Sequence, residues 1–166
     1  KARAVLALER HRWDPCSPGS QAVGCAMASG SVAVMMNGLP GAMGHEVSAA
    51  CLRRGFELAP VSMTGPGMPA ECTVTEGEKS VKVRLVSSED PSKQREAIAE
   101  LQAKYGKRLV IIDFTHPSAV DPNVELYTGQ KCPFVIGTTG GDRDKMMKMT
   151  VDSETYAVIA PNMCKQ

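Results

Sequence analysis

An excess of charge of either sign is missing from this chain: 19 Lys and Arg face 18 Asp and Glu, leaving a net charge of +1. A chain so balanced has no field to draw in a nucleic-acid backbone or an acidic membrane surface. Aromatic residues are scarce at 4%, too few for a base-stacking platform. No apolar run approaches the roughly 20 residues that a bilayer span requires. The histidines at 11, 45 and 116 are scattered, and the cysteines at 16, 25, 51, 72, 132 and 164 include no CxxC pair. No zinc ligand set is therefore clustered, and no metal site is expected. Cys51 and Cys132 sit in apolar settings that suit reduced core thiols, which fits a reducing compartment.

The chain does have length and core-forming material. Its 166 residues are 43% apolar, enough for one well-packed domain. Residues 1–31 stand apart. They are basic at first, with Lys1, Arg3, Arg10 and Arg12 against Glu9 and Asp14, and then small and polar. That composition reads as the end of a transit peptide or a flexible leader, the alternative being a plain extension with a short helix.

The organising stretch follows. The apolar run Val32-Ala33-Val34-Met35-Met36 feeds Asn37-Gly38-Leu39-Pro40-Gly41-Ala42-Met43-Gly44, and a helical pattern runs from Met43 to Arg54. Strand, glycine turn and helix start together hold a dinucleotide pyrophosphate: glycine admits close approach of N–H groups, and the helix N-terminus carries partial positive charge. The spacing is GxxGxxG, with Pro40 in place of the second glycine of the commoner GxGxxG, so the turn alone is equally a tight strand–helix connection. A Gly41→Val change is expected to fill the phosphate's space and leave the fold largely intact.

Strands and helices then alternate. Phe56–Ser62 reads as a second strand, made irregular by Pro60. After it, Ser62-Met63-Thr64-Gly65 offers two hydroxyls and no carboxylate where an acidic residue would bind the adenosine ribose, which leans toward NADPH unless these are ordinary turn residues. Cys72–Thr75 and Val81–Leu85, around Glu76-Gly77-Glu78, read as an inserted β-hairpin. Asp90-Pro91 opens a helix with Ile98, Leu101 and Tyr105 on its buried stripe and Gly106 at its end. Leu109–Phe114 reads as a buried parallel strand. A helix over about 118–128, a strand Pro133–Ile136, a helix from Asp142 and a strand Tyr156–Ala160 complete the order. The expectation is an α/β fold, a Rossmann-like doubly wound parallel sheet with an inserted hairpin, and a dinucleotide-binding domain over 32–166. Four strand exits then share one ligand-binding rim: the glycine turn, Asp113–Pro117, Gly137–Gly140 and Ala160–Met163.

In sequence order, Asn37-Gly38-x-x-Gly41-x-Met43-Gly44, Asp113-Phe114-Thr115-x-Pro117 and Val135-Ile136-Gly137-Thr138-Thr139-Gly140 resemble 4-hydroxy-tetrahydrodipicolinate (dihydrodipicolinate) reductase of lysine biosynthesis. Pro117-Ser118-Ala119-Val120, Glu125-Leu126-Tyr127, Gly137–Arg143 and Pro161-x-Met163-x-Lys165-Gln166 look like its plant-type branch. The resemblance covers about residues 32–166. It implies a cofactor site on Gly38, Leu39, Pro40, Gly41, Ala42 and Met43, on Phe114 and Thr115 beside the nicotinamide ribose, and on Gly137, Thr138, Thr139, Ala160, Pro161, Asn162 and Met163. It implies NADPH or NADH as cofactor, a plastid stroma or otherwise cytoplasmic setting, and hydride transfer to a cyclic imine-type precursor of tetrahydrodipicolinate.

The family's second domain supplies a His-His segment and a lysine general acid, and no HHxxK-like segment occurs here. No catalytic residue is therefore assigned. The chain alone is expected to bind the dinucleotide without reducing the substrate, and to form homo-oligomers only where that second domain is present. The alternative is a reductase-like plastid assembly or regulatory factor. Asp113 is expected to orient its loop rather than act as an acid. His45 and His116 read as ordinary polar residues, and Lys165 at the chain's end is not assigned.

Overall fold

In the computed structural model, which describes residues 30–160, the apolar run ahead of the glycine turn is strand β1 (Ala33–Asn37), with all five residues buried. Helix α1 (Ala42–Arg53) follows the turn, then β2 (Glu57–Leu58), β3 (Val61–Thr64), β4 (Glu71–Glu76) and β5 (Lys79–Ser87). Next come α2 (Pro91–Tyr105), β6 (Leu109–Asp113), α3 (Val120–Gly129), β7 (Phe134–Ile136), α4 (Arg143–Asp152) and β8 (Ala157–Ile159). The expected leader, except its last two residues, and the expected site residues Pro161, Asn162 and Met163 lie outside the described residues.

Five strands form one parallel sheet in the order β2-β1-β6-β7-β8. Because all run the same way, the exits of β1, β6, β7 and β8 fall on one rim. The alternation of β1 divides the interior. Ala33 and Met35 join Ile98, Leu101, Val124, Tyr127 and Phe134 in one core, against α2, α3 and α4. Met36 joins Leu39, Leu52, Leu58, Val74 and Leu85 in another. Helix starts follow the local chemistry. Asp90 accepts from the Lys93 N–H at 3.1 Å ahead of Pro91, and Asp142 accepts from Asp144 and Lys145.

The stretch Phe56–Ser62, expected as one strand, is two. Ala59 still donates to the Val34 carbonyl at 2.8 Å, but Pro60 has no N–H with which to continue the ladder. Beyond it the chain leaves the main sheet, and β3 pairs in parallel with β5. The expected hairpin forms as β4 and β5, and with β3 it makes a second, three-stranded sheet in the order β3-β5-β4. Asn37 closes the gap where the strands part. Its side-chain oxygen accepts from the Met63 N–H at 2.8 Å, and the Met63 carbonyl accepts from Gly38 N–H at 3.1 Å.

Burial sets an alkaline limit on this fold. It lifts the Cys132 thiol from 9.0 to about 11. Burial, reinforced by the negative charge of Asp113, raises Tyr127 well above its usual 10.0. Both groups hold their protons in the fold at a pH where the unfolded chain has lost them. The Cys132 contribution is therefore complete below about pH 9 and is lost as pH rises toward 11, and the Tyr127 contribution is lost above its usual 10.0. Urea unfolding measured across this range should give a falling free energy, and Cys132→Ala should flatten the fall. A slope unchanged by that substitution would count against the assignment.

Candidate functional site

The glycine turn is shaped by contacts that exclude side chains. Gly38 has φ +105°, and a Cβ there would lie 2.5 Å from the Phe114 carbonyl oxygen. A Cβ on Gly41 would lie 2.7 Å from the Gly38 carbonyl oxygen, and one on Gly44 would lie 3.0 Å from it. The second and third glycines let the start of α1 press against the turn, and Gly41 N–H donates to Gly38 O at 2.9 Å. Leu39 is fully buried and belongs to the second core, so its side chain does not reach the rim.

Gly41, the cap residue of α1, has no side chain to satisfy the first helical N–H groups, and the first turn carries no acidic residue. Ala42 and Met43 there are exposed. Orphan N–H groups and the positive end of the helix dipole therefore face solvent beside the exit of β1, ready for an anion.

The neighbouring exits are stitched to this turn. Phe114 N–H donates to the Asn37 carbonyl at 3.1 Å, Gly137 N–H to Asp113 O at 3.0 Å, and Ala160 N–H to Ile136 O at 3.0 Å. The Thr138 hydroxyl donates to the Thr115 carbonyl at 3.1 Å. The Phe114 ring lies over Gly137, in the space that a Cβ there would need. Gly38, Gly41, Ala42, Met43, Phe114, Thr115, Gly137, Thr138 and Thr139 thus come together on one rim, with Pro40 in the turn and Ala160 at its far end.

Beneath the rim lies a buried polar cluster. Both oxygens of the fully buried Asp113 side chain are occupied. One accepts from Thr115 N–H at 2.8 Å and from the Thr115 hydroxyl at 2.7 Å. The other accepts from the Asn123 amide at 2.8 Å and the Tyr127 hydroxyl at 2.6 Å. Tyr127 in turn accepts from the Asn37 amide at 2.8 Å. With four donors on its two oxygens, Asp113 is an orienting group and offers no free site to a substrate. Sequence reasoning reached Asp113 but missed Asn37, Asn123 and Tyr127 as its supports. The available signal was an amide and a hydroxyl four apart on the buried stripe of α3.

Other expected features settle locally. His116 caps the turn after β6, accepting from Ser118 N–H at 3.3 Å, with its Nδ1 2.9 Å from the Ser118 hydroxyl. Ser62 is fully buried with its hydroxyl donating to the Met63 carbonyl at 3.3 Å, and Thr64 is buried as well. The Ser62 hydroxyl, expected to greet a 2′-phosphate, is therefore turned inward. Cys51, Cys72 and Cys132 are free thiols. Among the described residues no acidic, histidine and cysteine side chains gather into a metal site, and no helix is long and apolar enough to cross a membrane.

A parallel sheet with its strand exits on one rim, a glycine turn and an uncapped helix start define a Rossmann-like nucleotide-binding domain. A family model described as "Dihydrodipicolinate reductase, N-terminus" matches residues 32–163, and the chain belongs to that family. Membership of a reductase family on this fold implies a pyridine nucleotide cofactor. The chain is 32% identical over 148 residues to 4-hydroxy-tetrahydrodipicolinate reductase 1, chloroplastic, of Arabidopsis thaliana, a match covering 89% of the chain and 41% of the relative. It is 36% identical over 146 residues to that plant's reductase 2, covering 86% and 39%. It is 37% identical over 136 residues to a probable reductase 1, chloroplastic, of Oryza sativa subsp. japonica, covering 82% and 38%. The matches thus span about 40% of the length of these curated relatives.

The Gly41 contact corrects the expectation that Gly41→Val spares the fold. The new Cβ strikes the Gly38 carbonyl before it reaches any ligand. Gly41→Val should cost about 1–3 kcal/mol of stability without any nucleotide present. A thermal unfolding midpoint equal to that of the parent chain would restore the earlier view.

Proposed function

We propose that the rim binds NADPH or NADH and that the chain is the nucleotide-binding part of a 4-hydroxy-tetrahydrodipicolinate reductase. Such an enzyme serves lysine biosynthesis by passing hydride to the cyclic precursor of tetrahydrodipicolinate. The observation that carries this reading is the uncapped, acid-free start of α1 beside a turn whose glycines leave no room for side chains. The pyrophosphate would sit on the N–H groups of Ala42 and Met43, with Gly38, Leu39, Pro40 and Gly41 supplying the backbone of the turn. Phe114, Thr115, Gly137, Thr138 and Thr139 would hold the nicotinamide ribose end, together with Ala160, Pro161, Asn162 and Met163. The bound dinucleotide supplies a hydride donor, and the chain's residues orient it.

The 166 residues include no HHxxK-like segment to supply the family's lysine general acid, and Asp113 is saturated by its own neighbours. The chain on its own is therefore a binder without turnover. The plant relatives are named chloroplastic, and their likeness to this chain supports a plastid location for it.

Calorimetric titration of the 166-residue chain with each dinucleotide tests the reading, and no heat of binding with either at millimolar concentration would end it. Ala42→Asp sharpens the test because its two effects have opposite signs. An acid in the first helical turn stabilises by about 0.3–1 kcal/mol, whereas it repels a pyrophosphate. The variant should melt no lower than the parent and bind at least tenfold more weakly. Undiminished affinity would remove α1 from the site.

A further inference from the structure

The buried bonds beneath the rim run in one direction, and Asp113 sets it. Its two oxygens act as acceptors, one toward Thr115 N–H and the other toward the Asn123 amide. The Tyr127 hydroxyl therefore spends its one proton on that second oxygen, at 2.6 Å. Its own oxygen is left to accept, and it takes the Asn37 amide N–H at 2.8 Å. That turns the Asn37 side-chain oxygen the other way, toward the Met63 N–H at 2.8 Å. No bond in this series can be reversed without breaking its neighbour.

The ends of the series lie on opposite sides of the glycine turn. At one end, Met63 belongs to β3, which closes the second strand stretch, and a doubly wound sheet meets the adenosine ribose there. At the other end, Asp113 holds the Thr115 N–H and hydroxyl, and the Thr115 carbonyl accepts from Thr138. β1 and β6 stay paired as neighbours in the main sheet. β3 belongs to the other sheet and meets the turn through Asn37 and Gly38. Without the Tyr127 hydroxyl the Asn37 amide loses the group that orients it, and β3 loses its tie to the exit of β6. Tyr127 itself comes from α3 and is fully buried, so it touches no ligand on the rim. Its ring is held separately, against Phe134 with centroids 5.4 Å apart.

We propose that Tyr127 is a positioning residue for dinucleotide binding: its hydroxyl holds the adenosine side and the nicotinamide side of the rim at the separation that one bound dinucleotide spans. This rests on the dinucleotide reading above. A ligand with two linked halves gains from a preset spacing, because its second half then binds as if at high local concentration. A ligand with one half gains nothing from it.

Calorimetric titrations of the whole chain and of Y127F with NADH, NADPH and 5′-ADP, which lacks the nicotinamide half, test it. Y127F keeps the ring and removes both bonds. It should hold the parent's affinity for 5′-ADP to within about twofold and lose about tenfold or more toward the dinucleotide that the parent binds more tightly. F134L removes the ring packed on Tyr127 and spares the hydrogen bonds. It should melt lower than the parent with both affinities kept. Equal losses for 5′-ADP and the dinucleotide in Y127F, or an unchanged dinucleotide affinity, overturn the role of Tyr127 while leaving the rim intact. Hydrogen exchange on the parent chain gives a second test that needs no variant to fold. Saturating 5′-ADP should slow exchange at Thr115 N–H together with Met63 N–H, and a Thr115 N–H that does not respond overturns the proposal. Failure of the parent to bind either dinucleotide overturns the rim as well.

Discussion

The buried side chain of Asp113 is the constraint on which the rest of the site depends. It ends the central strand β6, beside the end of β1, and its partners come from the loop after β6 and from α3. Through Tyr127 it reaches Asn37, and through Asn37 it reaches Met63 on the second sheet. One carboxyl group therefore sets the relative position of a glycine turn, the loop after β6, a helix and a strand that has left the main sheet. A buried charge is tolerated only when its oxygens are satisfied, and breaking such a set strands several donors at once. The cluster is buried, while the rim above it is open and lined by backbone.

That division explains how function is distributed along the chain. The rim needs flat, small or hydroxyl-bearing residues whose backbone can touch a ligand, so it has little capacity to fix its own shape. The shape comes from below: the Phe114 ring covers Gly137, the Thr138 hydroxyl holds the Thr115 carbonyl, and the start of α1 presses on the Gly38 carbonyl. The second core, with Leu39 inserted among Met36, Leu52 and Val74, anchors the turn from the other side.

Much of this was readable from sequence because it is written in short patterns. The caps at Asp90-Pro91 and Asp142, the stop at Gly106, the stripe of Ile98, Leu101 and Tyr105 and the hairpin around Gly77 all obey local rules. The order of strand exits, and with it the rim, follows from the alternation of elements. What local patterns did not carry was pairing across distance. Asn37 and Tyr127 are 90 positions apart, and neither residue's neighbours announce the bond. Pro60 was recognised as a disturbance, but a proline does not say which strand the chain joins next. The crowding at Gly41 comes from a carbonyl three residues away, folded back by the turn itself. Among Met146, Met147 and Met149 only the first is buried, and the second is 48% exposed, a split that residue type alone does not encode.

The pairing of β1 with β6 carries a kinetic consequence. These two strands meet in register only after the whole hairpin sheet and α2 have been spun out between them. Closing a loop of that size is among the slower, entropically costly steps of folding. The glycine turn and the loop after β6 are brought together by that same closure. The rim therefore comes into being late, with the long-range core, and depends on the chain's completed topology rather than on any fragment of it.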